Sequence, residues 1–401
     1  MTISTLADNH AATATLAATA SLATPATRAT PATRATPATR ATTRTLATDE
    51  APDATFRTAQ QRSERIEAEL RVDPTAFRVV TGDRPTGDLH LGHYIGTLAN
   101  RVRLQNAGVP VTVVIADYQV ITDRERPGPL RERVRALVAD YLAAGLDRQQ
   151  TAIFPHSAVP ALNQLLLPFL SLVSVAELHR NPTVKAESLA SRRTLSALLL
   201  TYPVHQAADI LCCQGTLVPV GKDQLPHVEL ARVIARRFND RYGTVFGEPE
   251  ALLSSAPVVL GIDGAKMSKT RGNTIALGAD EDQTTAAIRA ARTDGLRRIT
   301  FDPVSRPSVA NLLTIVGALS GRDPARIADE IGDGGAAALK RLATEVVNES
   351  LRGLRARRRE LLADPGYLDE VLLDGTARAS AAAGEILQRV RAAMGMDYFG
   401  G

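Results

Sequence analysis

From residue 75 onward, short runs of β-branched and aliphatic residues alternate with longer amphipathic stretches. This alternation is typical of a parallel sheet covered by helices, because a helix must carry the chain back from the end of one strand to the start of the next. We therefore predict an α/β fold with a doubly wound parallel sheet of the Rossmann-like type. The predicted strands are residues 76–80, 109–120, 151–154 and 216–220, and the predicted helices are residues 91–105, 129–146, 161–177 and 224–242.

After residue 273 the strand pattern ends, and apolar residues recur at the spacing of a helix, as at Leu339, Leu342, Val346, Leu351 and Leu354. Asp364, Pro365 and Gly366 are expected to end that helix. We predict a catalytic domain at residues 75–277 and an all-helical domain at residues 278–401. Residues 352–359 of the helical part hold five arginines, which favour either a solvated helix face or a contact with nucleic-acid phosphates.

The first 60 residues are rich in Ala, Thr, Pro and Arg, and they contain the hexamer ATPATR three times in a row, from Ala23 to Arg40. With almost no large apolar side chains, such a segment cannot offset the entropy of ordering, so we predict a disordered tail at residues 1–60. Its arginines, hydroxyls and lack of acids between Asp8 and Asp49 also fit an organellar transit peptide. A solvated extension is the other interpretation.

The composition narrows the class of protein. No apolar run approaches the length that crosses a bilayer, so we expect a soluble, cytoplasmic protein with no membrane contact. The two cysteines, Cys212 and Cys213, are adjacent and cannot form a four-ligand metal cage, so we predict no metal site made by protein groups alone. The net charge of +4 is compatible with a polyanionic partner but does not establish one.

Residues 81–93, TGDRPTGDLHLGH, form a turn rich in Gly and Pro between a predicted strand and a predicted helix. Open α/β sheets bind ligands at this position, and the N–H groups of a helix start favour an anion. The spacing matches neither the GxGxxG pattern nor a Walker loop. His90 and His93 are three residues apart, so on a helix start they share one face and both can donate to the same phosphate.

A second segment, residues 264–274 or GAKMSKTRGNT, places Lys266, Lys269 and Arg271 on a loop of small polar residues. We interpret it as a mobile cationic clamp that neutralises charge on the β- and γ-phosphates of ATP as pyrophosphate leaves. Together, the two segments indicate adenylation of a carboxylic acid.

These two segments resemble the HIGH and KMSKS motifs of class I aminoacyl-tRNA synthetases. The chain further resembles the tryptophanyl-tRNA synthetase family over about residues 77–394, leaving out the tail. Four runs carry this resemblance in order and spacing: RPTGDLHLGHYIG at residues 84–96, LLTYPVHQAADIL at 199–211, TLVPVGKDQLPHVELAR at 216–232 and KMSKTRGNT at 266–274.

The resemblance implies a role for each matching residue. Asp209 would accept the indole N–H of tryptophan, Tyr202 and Gln206 would line the same pocket, and Gln224 would approach the substrate amino group. His90, His93, Lys266 and Lys269 would be catalytic. ATP would be bound by Arg84, Pro85, Thr86, Gly92, His93, Gly221, Lys222, Asp223, Val258, Lys266, Met267, Ser268, Lys269 and Thr270.

Four of these positions depart from the commoner bacterial pattern. Arg84 and Gln206 stand where glutamine and methionine are frequent, and His93 and Lys222 where asparagine and glutamate are frequent. Except at Gln206, the change adds donors or positive charge near ATP, so typical nucleotide affinity is not assumed.

The resemblance implies a homodimer that makes tryptophanyl-adenylate from L-tryptophan and ATP, with Mg²⁺ carried by the nucleotide, and then charges tRNA(Trp). The helical domain would read the anticodon region. Three alternatives remain at this point: a tyrosyl-tRNA synthetase, a synthetase-like accessory protein that binds tryptophan or RNA, and a small-molecule adenylating ligase.

Overall fold

The computed structural model describes residues 50–122, 126–191, 195–254, 256–267 and 271–398. Most of the predicted disordered tail, residues 1–49, lies outside this range. The tail was predicted to extend to residue 60, but helix α1 already begins at Glu50 and runs to Val72. Its polar and charged residues, with apolar positions at helical intervals, explain why composition alone missed it.

Five strands form one parallel sheet in the order β3-β2-β1-β4-β5. The strands are β1 (Val79–Asp83), β2 (Val111–Ile115), β3 (Thr151–Pro155), β4 (Leu217–Val220) and β5 (Glu250–Leu253). The doubly wound α/β prediction is confirmed. The chain moves outward from β1 to β3 on one side and then returns to place β4 on the other side of β1. The gap between the ends of β1 and β4 is therefore the point where open α/β sheets bind ligands.

Alternate residues of each strand enter two separate hydrophobic cores, one on each face of the sheet. Val79, Val113 and Ile153 pack into the first core, whereas Val80, Val114 and Phe154 pack into the second. This division follows from the two-residue period of a strand. Because both faces are covered, the strands read as nearly continuous apolar runs.

Helices follow and cover the strands. They are α2 (Leu91–His93), α3 (Ala99–Asn106), α4 (Leu130–Ala143), α5 (Pro160–Leu170), α6 (Val175–Arg180), α7 (Pro182–Ser191), α8 (Ala197–Cys212), α9 (Leu225–Tyr242), α10 (Glu281–Ala290), α11 (Pro307–Ser320), α12 (Pro324–Ile331), α13 (Gly335–Ala363) and α14 (Pro365–Ala393). A π-helical turn, Tyr94–Leu98, joins α2 to α3. The helix predicted up to residue 364 is confirmed as α13.

Two sequence predictions of element bounds were wrong. The helix predicted at residues 161–177 is two helices, because Ser174 begins α6 with a capping box to Glu177. The second strand ends at Ile115 rather than at residue 120. The sequence suggested Thr122 and Asp123 as the polar residues at its exit, but the first polar residue after the strand is Asp117. Asp123 lies outside the described residues. Strand β5 had not been predicted.

Helices cover both edges of the sheet, where unpaired backbone groups would otherwise be exposed. Along β3, Gly375 of α14 lies so close to the strand that a Cβ atom there would be 2.1 Å from the Ile153 carbonyl oxygen. Along β5, the Leu253 N–H donates to Ser63 Oγ of α1 at 2.9 Å. The first core includes residues of α13 as well as of the sheet, so it crosses residue 277, where the domain boundary was predicted.

Candidate active site

The two motif segments, about 170 residues apart in the chain, are paired in the structure. The Leu91 N–H donates to the Ile275 carbonyl at 2.8 Å, and the Leu277 N–H donates to the Leu89 carbonyl at 2.9 Å. A Cβ atom on Gly92 would lie 3.4 Å from Met267 Sδ, so glycine permits this close approach. The HLGH turn therefore lies against Met267 and against the residues that follow the KMSKT segment.

The two histidines of the turn are stacked closely, with ring centroids 3.7 Å apart. His93 Nδ1 accepts the His90 backbone N–H at 3.3 Å. In the neutral ring the proton therefore resides on Nε2, which can donate to a ligand. His90 is buried and His93 is half-buried, as expected for groups that reach a bound nucleotide from a packed turn.

A largely buried ion pair holds Asp83 at the end of β1, just before Arg84. Asp83 accepts hydrogen bonds from Arg101 Nη1 at 2.5 Å and from the Tyr141 hydroxyl at 2.6 Å. Burial alone would raise the pKa of Asp83, but Arg101 outweighs it, so the pKa is lowered. Asp83 therefore remains ionised and fixes the direction in which the chain leaves the sheet.

The lysine clamp is described only in part. Lys266 is four-fifths exposed, and its Nζ lies 3.8 Å from Asp223 Oδ2 in the segment that follows β4. Asn273 donates to the Lys266 carbonyl at 3.2 Å and to Asp263 at 2.7 Å, which closes the loop at its base. Ser268, Lys269 and Thr270, all predicted to bind ATP, lie outside the described residues.

Most of the other predicted ATP residues follow the ends of β1 and β4 in the chain. Arg84 forms an ion pair with Glu187 of α7 at 3.2 Å, and Pro85 is buried beneath the turn. The Thr86 N–H donates to the Arg84 carbonyl, which tightens this bend. Lys222 lies 4.6 Å from the ring centre of Phe56 in α1, and it directly follows Gly221 at the end of β4. Val258 is exposed.

The predicted tryptophan-binding residues lie mainly on α8. Tyr202 and Asp209 are both buried, and they are seven residues apart, which is about two helical turns. Gln206 is half-buried between them. Gln224 follows β4 and precedes α9, and its side chain donates to Asp223 at 3.3 Å.

Tyr202 also connects the pocket to the nucleotide side of the site. Its hydroxyl lies 3.3 Å from His227 Nε2 of α9. Burial, followed by the charge of Glu187, raises the pKa of Tyr202, while Arg84 acts in the opposite direction. The ring therefore stays neutral and marks where the β1 turn, α7, α8 and α9 meet.

The buried His227 should make the stability of the protein depend on pH. Burial lowers its pKa to about 4, from an ordinary value of 6.5. The unfolded chain binds this proton between pH 6.5 and 4 and the folded chain does not, so stability falls as the pH falls through that window. We expect His227 to account for a loss of about 3 kcal/mol. Urea unfolding across the window should show a shallower dependence in His227→Gln, and equal slopes would contradict the assignment.

Asp209 belongs to a buried hydrogen-bond network that the sequence did not reveal. His156, directly after β3, places its Nδ1 3.2 Å and 3.3 Å from the two carboxylate oxygens of Asp209. His156 Nε2 accepts the Tyr118 backbone N–H at 3.0 Å. Asp117 in turn accepts from the backbone N–H and the hydroxyl of Ser157. The carboxyl ends of β2 and β3 thus reach the same buried point.

The pKa values of His156 and of the neighbouring His205 are shifted in opposite directions. Burial lowers the pKa of His156, but the carboxylates of Asp209 and Asp117 outweigh it, so the pKa is raised. Burial also lowers the pKa of His205, and there it dominates. His205 is paired instead with Asn163, at 3.0 Å.

His156, His205 and Asp209 also offer three ligand atoms within 4.8 Å of one another, a spacing that a metal ion can use. A metal on His156 Nδ1 would require the ring proton on Nε2, where the Tyr118 N–H already donates. Hydrogen bonding within the protein therefore accounts for this cluster better than a metal does.

Sequence reasoning missed Asp117 and His156. His156 is the first residue after β3 and Asp117 the second after β2, and polar residues at the carboxyl ends of neighbouring parallel strands come close together. Their position after the strands could have identified them. However, the second strand was predicted to extend to residue 120, so Asp117 fell inside it.

Some arginines of residues 352–359 in α13 contact other helices, whereas others pair on the surface of their own helix. Arg358 Nε donates to the buried Asp140 of α4 at 2.6 Å, and the buried Arg355 donates to Thr284 of α10 at 2.7 Å. Arg352 and Arg357 pair with exposed glutamates of their own helix. Neither interpretation of the stretch, a solvated helix face or a contact with nucleic-acid phosphates, holds for Arg355 and Arg358, because helical periodicity turns them toward the core.

None of the helices in the described ranges is long and apolar enough to cross a membrane.

Known proteins resemble this chain in sequence and in fold. The family described as tRNA synthetases class I (W and Y) matches residues 73–352. The chain belongs to this family of class I aminoacyl-tRNA synthetases.

Among curated relatives, the tryptophan--tRNA ligase of Treponema pallidum is 43% identical over 335 residues, covering 80% of this chain and 97% of the relative. That of Lactococcus lactis is 39% identical, covering 80% and 98%. The structure of tryptophanyl-tRNA synthetase from Campylobacter jejuni, complexed with ADP and tryptophan, is similar with a TM-score of 0.70 and 32% identity, covering 79% of this chain and 99% of that one. Tyrosyl-tRNA synthetase from Archaeoglobus fulgidus, at 22% identity and a TM-score of 0.56, shares the fold.

Proposed function

We propose that this chain is a tryptophan--tRNA ligase, which activates L-tryptophan with ATP to tryptophanyl-adenylate and transfers the acyl group to tRNA(Trp). The single observation that carries this proposal is the buried carboxylate of Asp209 on α8, a helix that packs against β1, the strand that precedes the HLGH turn. The names of the curated relatives at 38–43% identity support the same activity.

In the first step, the tryptophan carboxylate attacks the α-phosphate of ATP and pyrophosphate leaves. His90 and His93 would donate to the phosphates from the start of α2, and Lys266 with Lys269 would neutralise the charge that develops on pyrophosphate. Mg²⁺ would arrive with the nucleotide. No protein nucleophile is required, so the rate derives from positioning and from electrostatic stabilisation.

The nucleotide would lie across the gap between β1 and β4. The turn with Arg84, Pro85, Thr86 and Gly92 would hold the phosphates, while Gly221, Lys222 and Asp223 would hold the adenosine end. Val258 and Met267 would complete the site beside the adenine and the clamp. This arrangement is supported because these segments come together at the carboxyl ends of the parallel strands, where open α/β sheets bind ligands.

Tryptophan would insert its ring beside α8. Asp209 would accept the indole N–H, Tyr202 and Gln206 would line the ring, and Gln224 would contact the amino group. Without a donor, the buried carboxylate would be left unpaired, which penalises phenylalanine and other acids that lack the N–H group.

Family membership also supports three further proposals. The chain acts as a homodimer, it works in the cytoplasm, and its helical part at residues 278–401 contacts the anticodon region of tRNA. Because Arg355 and Arg358 point inward, we assign the phosphate contacts on α13 to its outward-facing basic residues, Arg352, Arg357 and Arg359.

The test is pyrophosphate exchange into ATP with each amino acid in turn, followed by charging of tRNA. We expect exchange with tryptophan, and a kcat/KM at least about 100-fold lower for phenylalanine and tyrosine. Faster exchange with tyrosine would identify the tyrosyl enzyme instead. Tryptophan binding without exchange would identify an accessory protein, and exchange without tRNA charging would leave only the adenylating ligase.

A further inference from the structure

His156 forms a polar link between the sheet and the specificity carboxylate. It is fully buried at the end of β3, whereas Asp209 lies on α8. Its Nδ1 is nearly equidistant from both oxygens of Asp209, at 3.2 Å and 3.3 Å. A single donor placed between the two oxygens fixes the plane of the carboxylate and leaves lone pairs on both oxygens for another donor.

The tautomer of His156 is set from its other side. The Tyr118 backbone N–H donates to Nε2 at 3.0 Å, so in the neutral ring the proton is on Nδ1. In the protonated ring Nδ1 also carries a proton. His156 therefore donates to Asp209 in both protonation states, and the direction of this hydrogen bond does not reverse.

We propose that His156 is a positioning residue for amino-acid specificity, which orients Asp209 to accept the indole N–H. This inference rests on the proposed function and adds to it a residue outside the four runs that carry the resemblance. His156 does not touch the substrate and acts through Asp209. Because a carboxylate free to rotate loses part of its directional preference, removing the Nδ1 donor should weaken tryptophan binding and leave ATP binding intact.

Two isosteric variants separate the hydrogen bond from the packing. His156→Asn keeps a donor at the position of Nδ1, whereas His156→Leu has the same shape without a donor. Both lose the acceptor for Tyr118, whose N–H also donates to Asp117 at 3.1 Å and therefore keeps a partner. The gap left by the ring is also the same in both variants, so the comparison isolates the donor.

The first measurement is pyrophosphate exchange at varied tryptophan and ATP. We expect His156→Leu to raise KM for tryptophan by about 10- to 100-fold, as for the loss of a hydrogen bond to a charged group. His156→Asn should raise it less than about fivefold, and KM for ATP should stay within about twofold in both. Equal KM values for tryptophan in the two variants, or a parallel rise in KM for ATP, would overturn the proposal.

The second measurement uses L-benzothienylalanine, in which sulfur replaces the indole N–H. Because this substrate gives Asp209 no donor, the difference between the Asn and Leu variants should largely disappear with it. A purely structural role would instead give the same difference with both substrates, which would refute the inference. If His156→Leu does not fold, His156→Met serves as the variant without a donor, because its flexible side chain fills irregular gaps.

The experiments distinguish a failure of the proposed function from a failure of the role of His156. If the wild-type chain does not exchange pyrophosphate with tryptophan, the proposed function fails. If the wild type is active and the Asn and Leu variants behave alike, only the role of His156 fails. Loss of exchange on adding a zinc chelator, restored by Zn²⁺, would replace the hydrogen bond with a metal at His156, His205 and Asp209 and would also overturn the inference.

Discussion

Lys266→Ala is expected to lower kcat for pyrophosphate exchange by about 100- to 1,000-fold, the usual effect of removing one preorganised group that stabilises transition-state charge. The lysine is four-fifths exposed, and its contact with Asp223 is long at 3.8 Å. An exposed pair of this kind contributes little to stability. The free energy of unfolding should therefore change by less than about 0.5 kcal/mol, so the loss of activity is separate from any loss of folding.

Lys340→Ala is the matched control for that variant. Lys340 is a half-buried lysine on α13, where its Nζ donates to the Arg289 carbonyl at 2.8 Å. Its exchange rate should stay close to that of the wild type. Near-normal exchange in Lys266→Ala would contradict the assignment of Lys266 to the clamp, and equal losses in both variants would indicate a general effect of charge.

Arg358→Ala is expected to destabilise the protein by about 3–5 kcal/mol, because it leaves a buried carboxylate without its counter-ion. Asp140 is only 1% exposed, and it accepts from Arg358 Nε at 2.6 Å and from the Leu89 backbone N–H at 3.3 Å. This pair joins α13 to α4 and to the residue just before His90. Chemical denaturation should reveal the loss, and exchange activity should fall with it, because the HLGH turn loses a support.

The dependence on pH tests the mechanism of that loss. Burial raises the pKa of Asp140, and Arg358 opposes the shift. In Arg358→Ala only the Leu89 N–H still opposes burial, so the pKa of Asp140 rises further. The folded state then holds a proton that the unfolded state releases, and stability falls as the pH rises above the ordinary value of 3.8. The difference between wild type and variant should therefore be smaller near pH 5 than near pH 7.5.

Arg357→Ala provides the neighbouring control. Arg357 is half exposed and pairs with the exposed Glu360 of its own helix, so its removal should change stability by less than about 0.5 kcal/mol. A similar cost for Arg357 and Arg358, or the same cost for Arg358→Ala at both pH values, would show that the buried pair is not what stabilises this contact.

Local patterns were sufficient for much of the fold. The alternation of apolar runs and amphipathic stretches predicted the parallel sheet, since strands buried on both faces must be apolar throughout. Apolar spacing along α13 and the Asp364 to Gly366 stop also predicted that helix correctly. In contrast, the break between α5 and α6 depends on a cap at Ser174 within an otherwise apolar run, and apolar spacing does not register such a cap.

The two ATP segments and the candidate pocket on α8 could be named from the sequence because their residue types are chemically specific and their order matches a family. The sequence did not show which residues meet them. His156 and Asp209 are 53 residues apart, and Asp140 and Arg358 are 218 apart, so no local pattern connects either pair.

The sequence by itself determined the class of fold and the adenylation chemistry, because these depend on local periodicity and on particular side chains. It also named the carboxylate proposed to select tryptophan, through the resemblance to a family. Only the tertiary structure decided how that carboxylate is held, which arginines of α13 face outward, and that both edges of the sheet are covered by helices. These features depend on contacts between residues distant in the chain. Whether a polar group is a ligand, a support or a surface charge is set by the partners that folding brings to it.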